Sequence, residues 1–100
     1  MWILRSDGGE EEPFTFRMPL NAVRTIGRSS GAQFIVEASL VSRLHCQLAA
    51  SADALQVKDL GSTNGTFVNG KRVETAKLEE GDRLGVGRVT LVVSRDQKAT

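Results

Sequence analysis

Residues 60–70, with the sequence LGSTNGTFVNG, place two turn signals within one short stretch. Asn64-Gly65 and Asn69-Gly70 are Asn-Gly pairs, which most readily supply the positive φ that both central residues of a tight hairpin turn require. Thr-Phe-Val at 66–68 favours a strand, and residues 55–60 alternate apolar and polar side chains as a half-buried strand does. The stretch is therefore predicted to form a strand, a tight loop, a very short strand and a tight turn.

Short alternating segments separated by turn residues recur along the whole chain. The predicted strands cover residues 2–5, 14–18, 23–26, 34–36, 45–49, 55–59, 66–68, 71–73, 83–84 and 89–93. No segment keeps a long helical apolar period, and residues 74–80 are predicted to be irregular. About ten short strands joined by turns predict an all-β sandwich or barrel. We expect one domain over residues 1–95 and a polar, frayed C-terminal tail at 96–100.

The composition argues against a general polyanion binder. The chain has 100 residues, 40% of them apolar, and a net charge of +1. Affinity for nucleic acid rises with the number of phosphates that a protein neutralises, so a charge this small does not favour it. The basic residues are nine Arg and four Lys, and Arg is suited to planar, bidentate contacts with carboxylate or phosphate.

The single cysteine, Cys46, and the single histidine, His45, exclude an intramolecular disulfide and a Cys/His metal cluster. No apolar run has the length of a signal peptide or of a membrane span. The nucleophile candidates near His45 are Ser42 and Cys46, and no third group orients the imidazole for catalysis. We therefore predict no enzyme, no catalytic residue, no metal and no cofactor.

Four polar loop elements follow or precede the short strands. They are residues 27–28, 42–45, 62–66 and 69–70. Loops of a β-sandwich cluster at its two ends, so Arg28, Ser42 and Thr63 could converge. One guanidinium, two hydroxyls and nearby backbone N–H groups would suit one phosphate rather than a polyanion. A set of turns without a ligand remains the alternative for residues 60–70.

The order and approximate spacing of these elements resemble the forkhead-associated (FHA) domain. The matching pieces are Gly27-Arg28, the Ser-Arg-Leu-His of 42–45, the Ser-Thr-Asn-Gly-Thr of 62–66 and Asn69-Gly70, and together they cover nearly the whole chain. The resemblance implies a β-sandwich of two twisted sheets with about eleven short strands. It also implies that loops at one end of the sandwich bind phosphothreonine peptides.

The resemblance assigns a role to each matching position. Arg28 would contact the phosphate and the peptide backbone, and Ser42 would donate its hydroxyl to the phosphate. Arg43 would offer its backbone N–H and its guanidinium, Thr63 would complete the phosphate shell, and Asn64 would hydrogen-bond the peptide main chain. Structural support of the loops would come from Gly27, His45, Ser62, Gly65 and Asn69. Leu40 and Val41 have two alternative roles. They pack in the core, or they line a pocket for the peptide residue three positions after the phosphothreonine.

A second resemblance is to nibrin-like proteins of DNA double-strand-break repair, whose FHA domain is N-terminal. Here the first motifs follow Met1 at similar distances, whereas residues 61–66 are closer to the general FHA consensus. This resemblance implies DNA damage signalling in the nucleus. Otherwise we expect a cytoplasmic protein, and in neither case a secreted one.

The leading functional prediction is a phosphothreonine-reading adaptor domain that recruits phosphorylated partner proteins. The alternative is a protein-interaction scaffold with the FHA fold that binds without phosphate. In both cases the expected partner is another protein, with no direct contact to nucleic acid or membrane, and the domain is expected to be one module of a larger protein.

Overall fold

The computed structural model describes residues 1–7 and 13–96 and contains eleven strands in two sheets. The strands are β1 (Trp2–Ser6), β2 (Thr15–Met18), β3 (Val23–Gly27), β4 (Phe34–Ile35), β5 (Cys46–Ala50), β6 (Leu55–Asp59), β7 (Thr66–Val68), β8 (Lys71–Val73), β9 (Thr75–Leu78), β10 (Arg83–Val86) and β11 (Val89–Arg95). The described residues include no helix, and therefore no helix that is long and apolar enough to cross a membrane. The predicted all-β sandwich is confirmed. The predicted tail at 96–100 lies, except for residue 96, outside the described residues.

The strands form a six-stranded sheet in the order β2-β1-β11-β10-β7-β8 and a five-stranded sheet in the order β4-β3-β5-β6-β9. Neighbouring strands are antiparallel, apart from the parallel pair of β3 and β4. The hairpin predicted across Asn69-Gly70 is confirmed, since Thr66 pairs with Val73 and both turn residues have positive φ, 52° and 84°.

The structure corrects the prediction for one neighbouring segment and defines the path of the tight loop predicted before β7. Residues 75–78, predicted to be irregular, form β9, because their backbone joins the ladder of β6 and Leu78 is fully buried. Asn64-Gly65 does not form a hairpin turn, because β6 and β7 belong to different sheets. Among the described non-glycine residues, positive φ occurs only at Asn21 and Asn69. Residues 60–65 therefore cross from one sheet to the other.

The core lies between the sheets and consists of aliphatic side chains with few aromatic ones. Leu4, Leu48 and Leu84 are fully buried, and they represent three of the central strands. Phe16 stacks on Phe34 with ring centroids 4.3 Å apart, which closes the side where β2 faces β4. The two sheets are thus held by apolar contact and by the chain crossings between them.

Cys46 belongs to this core, and we predict that its thiol does not react while the domain is folded. The side chain is 0% exposed. Burial raises the pKa of the Cys46 thiol to about 12, against the lowering effect of a hydrogen bond with Thr66. A disulfide-exchange thiol reagent at mildly alkaline pH should therefore modify the native protein negligibly and one thiol per chain in denaturant. Rapid modification of the native protein would contradict this prediction.

The strand connections that follow β3, β4, β6 and β10 meet at one end of the sandwich. The N–H of Arg28 donates to the Ser42 carbonyl at 2.9 Å, and the N–H of Thr63 donates to Ser42 Oγ at 3.0 Å. The turn after β10 also reaches this end, because a Cβ on Gly87 would lie 2.9 Å from the carbonyl carbon of Leu40.

The first and last described residues lie side by side. Trp2 pairs with Arg95 in the ladder of β1 and β11, and the N–H of Asp96 donates to the Met1 carbonyl at 2.8 Å. At the opposite end of the same ladder, Ser6 pairs with Leu91, close to the turn after β10. The first and last described residues therefore lie away from the loops that meet near Leu40.

Candidate functional site

A small open pocket of about 170 Å³ lies where these loops meet. It is lined by Arg28, Ser39, Leu40, Val41, Ser42, Thr63 and Asn64. The structure thus brings together four of the five residues predicted to contact a phosphopeptide, from three separate loops. Arg43 does not line the pocket and lies exposed beside it.

Arg28 follows β3 directly and is exposed at the pocket. Its Nε donates to the carbonyl of Val41 at 2.9 Å, and its backbone N–H donates to the carbonyl of Ser42. The first bond holds the guanidinium, and the second holds the backbone, against the loop that precedes β5. Its two terminal nitrogens remain as donors in the planar fork that suits an oxyanion.

The hydroxyl and amide groups of the pocket also retain hydrogen-bonding capacity. Ser42 Oγ accepts the N–H of Thr63, so its own proton is available to a ligand. The Asn64 Nδ2 donates to the carbonyl of Leu40 at 3.0 Å, which leaves its side-chain oxygen as an acceptor for a peptide N–H. Of the two residues left open by sequence, Val41 is 1% exposed in the core and Leu40 is half-buried at the rim.

Gly27 permits the close approach of two loops under the pocket. A Cβ at this position would lie 2.0 Å from the carbonyl oxygen of Arg43. The same carbonyl accepts from the N–H and the hydroxyl of Ser29, at 3.3 and 3.2 Å. β3 and the loop before β5 are therefore in direct backbone contact, which fixes Arg28 relative to Ser42.

His45 joins two of the loops from beneath. It is fully buried, its Nδ1 accepts the N–H of Ser42 at 3.1 Å, and its Nε2 lies 2.8 Å from the carbonyl of Gly65. A nitrogen that accepts an N–H carries no proton, so the proton of this imidazole sits on Nε2 and is donated to the carbonyl. Both ring nitrogens are thus used in positioning the loops.

Asp59, at the end of β6, organises the loop that carries Thr63 and Asn64. One carboxylate oxygen accepts the N–H groups of Gly61 and Ser62 at 3.0 and 3.1 Å. The other accepts the hydroxyls of Ser62 at 2.5 Å and of Thr66 at 2.7 Å. Ser62 Oγ in turn accepts the N–H of Gly65.

Four donors converge on the Asp59 carboxylate and favour its charged form. Burial by itself would raise the pKa of this carboxyl, but the hydrogen bonds from Ser62, Thr66 and Gly61 outweigh it and hold the pKa below its ordinary value of 3.8. We had not predicted a role for Asp59. The available signal was an aspartate at a strand end followed by Leu-Gly-Ser, since aspartate often accepts the N–H two residues on.

The structure does not bring Asn69 to the pocket. Its Nδ2 donates to Asp82 Oδ1 at 3.1 Å, and its Oδ1 accepts the N–H of Arg83 at 3.0 Å. Because β7 starts beside the pocket and runs away from it, the turn after β7 lies beyond the far end of that strand. Asn69 there ties two turns together and does not support the loops around Ser42 and Thr63.

Comparison with known proteins agrees with this fold and loop order. The protein-family model for the FHA domain matches residues 24–87. The ABC transporter ATP-binding/permease protein Rv1747 of Mycobacterium tuberculosis is 40% identical over 78 residues, which are 78% of this chain and 9% of the transporter.

Two solved structures are also similar. One comes from a structural and functional analysis of phosphothreonine-dependent FHA domain interactions, with 30% identity, a TM-score of 0.82 and coverage of 95% of this chain and 96% of that one. The other is the FhaA FHA domain complexed with the intracellular domain of Rv3910, with 31% identity, a TM-score of 0.83 and coverage of 93% and 99%.

The chain spans less than half the length of the curated relatives that it matches first. These relatives include mycobacterial and corynebacterial proteins. They give no support to the resemblance to nibrin-like proteins or to a role in DNA repair. The family match, in contrast, covers well over half of the chain, and this chain therefore belongs to the forkhead-associated (FHA) domain family.

Proposed function

We propose that this domain is an adaptor that binds phosphothreonine-containing segments of partner proteins. FHA domains are interaction modules, and we assign no catalytic activity to this one. The observation that carries the proposal is the convergence of Arg28, Ser42, Thr63 and Asn64 around one open pocket. The similarity to a structure from work on phosphothreonine-dependent FHA interactions supports the choice of ligand.

The chemistry of the pocket matches one phosphate on a peptide. A phosphothreonine carries a charge of roughly −1.5 to −2 at neutral pH. In the proposed complex, the Arg28 guanidinium, the hydroxyls of Ser42 and Thr63 and a backbone N–H such as that of Arg43 bind the phosphate oxygens. Asn64 binds the peptide main chain. About four charge-assisted hydrogen bonds of roughly 1.5–3 kcal/mol each must offset an association cost of several kcal/mol, so binding should be reversible and should require the phosphate.

The Arg28→Ala variant tests the proposal directly. Loss of the guanidinium removes about 2–3 kcal/mol of charge-assisted hydrogen bonding, so affinity for a phosphothreonine peptide should fall by roughly 30-fold or more. Fluorescence anisotropy measures this with labelled peptides carrying phosphothreonine, phosphoserine or no phosphate. We expect the phosphothreonine peptides to bind best and the unphosphorylated peptides to bind negligibly.

Arg24→Ala is the matched control, since Arg24 lies on β3, the strand that Arg28 follows, and its guanidinium donates to the neighbouring Val23 carbonyl. Its affinity should equal that of the wild type. Equal affinity of Arg28→Ala and wild type for every phosphopeptide would disprove the phosphate-reading function. Binding to a partner that survives phosphatase treatment would instead favour the scaffold that acts without phosphate.

We further propose that the domain is one module of a larger bacterial signalling protein and acts in the cytoplasm. Its matched relatives are longer bacterial proteins, and one of them is a transporter with an ATP-binding part. A related FHA domain was solved with the intracellular domain of another protein. Phosphorylated segments of intracellular protein domains are therefore the ligand class that we assign.

A further inference from the structure

The outer face of the six-stranded sheet is rich in arginine. Side chains alternate between the two faces of a strand. Because Leu4, Phe16 and Leu84 belong to the core, their neighbours in sequence point outward. The outward residues of the strands include the arginines Arg5, Arg17, Arg72 and Arg83. No aspartate or glutamate occurs in any strand of this sheet, and among the described residues Asp7, directly after β1, brings a carboxylate to Arg83.

Three of these arginines lie close together on neighbouring strands. Arg5 and Arg83 both pair with Val92 of β11, so they flank one strand and their Cα atoms are about 10 Å apart. Arg17 pairs with Ile3 and is therefore diagonal to Arg5, at about 7–8 Å. The three cations form a compact group that we call the arginine face.

Two members of the arginine face are available to a partner. Arg83 forms an ion pair with Asp7, and about half of each side chain remains exposed. Arg5 and Arg17 are exposed, and within residues 1–7 and 13–96 neither has an ion pair or a side-chain hydrogen bond. Like charges at this spacing repel, so a bound anion would relieve repulsion as well as gain attraction.

A shallow depression of about 240 Å³ lies beside Arg83 on the same face. It forms because Gly85 has no side chain to fill the space between Phe67 and Thr90. The arginine face is thus not uniformly flat. A side chain of a bound segment can enter this depression next to the Arg83 guanidinium. This depression is lined by β7, β10, β11 and the turns after β7 and β10, and it shares no lining residue with the pocket at Arg28.

We propose that the arginine face is a docking surface for a carboxylate-rich segment of a protein partner. Guanidinium groups bind carboxylates through two parallel hydrogen bonds, and outward side chains of a sheet present them in fixed rows. Two available cations on a chain of net charge +1 are too few for the charge neutralisation that nucleic-acid binding requires. Stable attachment to a membrane also requires exposed apolar groups, and Phe67 is half-buried. This contact is independent of the phosphothreonine pocket.

An octaglutamate peptide serves as the probe, and amide NMR spectra of the protein locate its binding. We expect concentration-dependent shifts at Arg5, Arg17 and Val92, with few at Ser42 and Thr63. The double variant Arg5→Glu, Arg17→Glu should bind the peptide about tenfold or more weakly, because attraction becomes repulsion. The matched control is Lys58→Glu, Lys77→Glu, which makes the same charge change on the outer face of the other sheet and should retain most of the affinity.

Controls for folding and for the other ligand keep the result interpretable. Circular dichroism should show wild-type folding for both double variants. If the Arg5→Glu, Arg17→Glu protein unfolds, the double variant Arg5→Gln, Arg17→Gln takes its place. Both double variants should bind a phosphothreonine peptide as the wild type does. The proposal is overturned if octaglutamate mainly shifts the amide signals around Ser42. It is overturned as well if the two charge-reversal variants lose affinity for octaglutamate equally. It is also overturned if single-stranded oligonucleotides or anionic vesicles bind the arginine face more tightly than octaglutamate does.

Discussion

The Gly27→Ala variant is expected to lose phosphopeptide binding and to melt about 5–25 °C below the wild-type domain. Its methyl group would lie 2.0 Å from the carbonyl oxygen and 2.8 Å from the carbonyl carbon of Arg43. These are backbone atoms and cannot rotate away, so β3 must separate from the loop that carries Ser42. Overpacking of this kind costs about 1–3 kcal/mol or more, and each kcal/mol lowers the melting temperature of a small domain by about 4–8 °C.

Thermal melts followed by circular dichroism, together with peptide anisotropy, measure both effects. Gly31→Ala is the matched control, because its added methyl would meet Ser29 Oγ at 3.5 Å and the Leu44 side chain at 3.7 Å, which are ordinary contacts. We expect this control to stay within about 0.5 kcal/mol of the wild type. If Gly27→Ala were as stable and bound as tightly as Gly31→Ala, the close approach would not be what fixes the pocket.

Asp59→Asn is the second substitution for which we expect a large effect. An asparagine has nearly the same shape but only one acceptor oxygen, so the donors from Gly61, Ser62 and Thr66 can no longer all be satisfied. Hydrogen bonds to a charged group contribute about 1.5–3 kcal/mol each, and we expect destabilisation of about 2–4 kcal/mol with weaker phosphopeptide binding. Chemical denaturation gives the first quantity and anisotropy the second.

The pH dependence provides an independent check on Asp59. Its pKa in the folded protein lies below 3.8, so folding favours the charged form. Its contribution to stability is therefore present above pH 3.8 and is lost as the pH falls through the folded-state pKa. Wild type and Asp59→Asn should differ most at neutral pH and converge in acid. Asp53→Asn, at an exposed position in the turn after β5, should behave as wild type throughout, and a gap that stayed constant into acid would contradict this account.

The local sequence was sufficient to predict a structural element where contacts between residues close in sequence determine it. Asn69-Gly70 forms the predicted hairpin because its two strands are neighbours in one sheet. Asn64-Gly65 carries the same local signal, but the chain there passes between sheets, and that depends on contacts distant in sequence. β9 was missed for a similar reason, since its pairing with β6 and the burial of Leu78 are tertiary effects.

The same distinction between local and distant contacts applies to the candidate site. The motifs at Arg28, Ser42 and Thr63 have an order along the chain, and a sandwich brings loops to its ends, so their convergence could be predicted. Asp59 could not be ranked above other aspartates until the path of residues 60–66 was known. Gly27 could be placed among the supporting residues, but the 2.0 Å approach behind it depends on how two loops pack.

The pairing of Trp2 with Arg95 has a consequence for how this domain can be built into longer polypeptides. Entry and exit points that adjoin each other allow a whole domain to be inserted into a surface loop of a host protein with little distortion of the host. Since both points lie away from the loops near Leu40, a host protein would leave the pocket at Arg28 open to a partner. Under the proposed phosphothreonine binding, phosphorylation of the partner would bring it to the host, and dephosphorylation would release it.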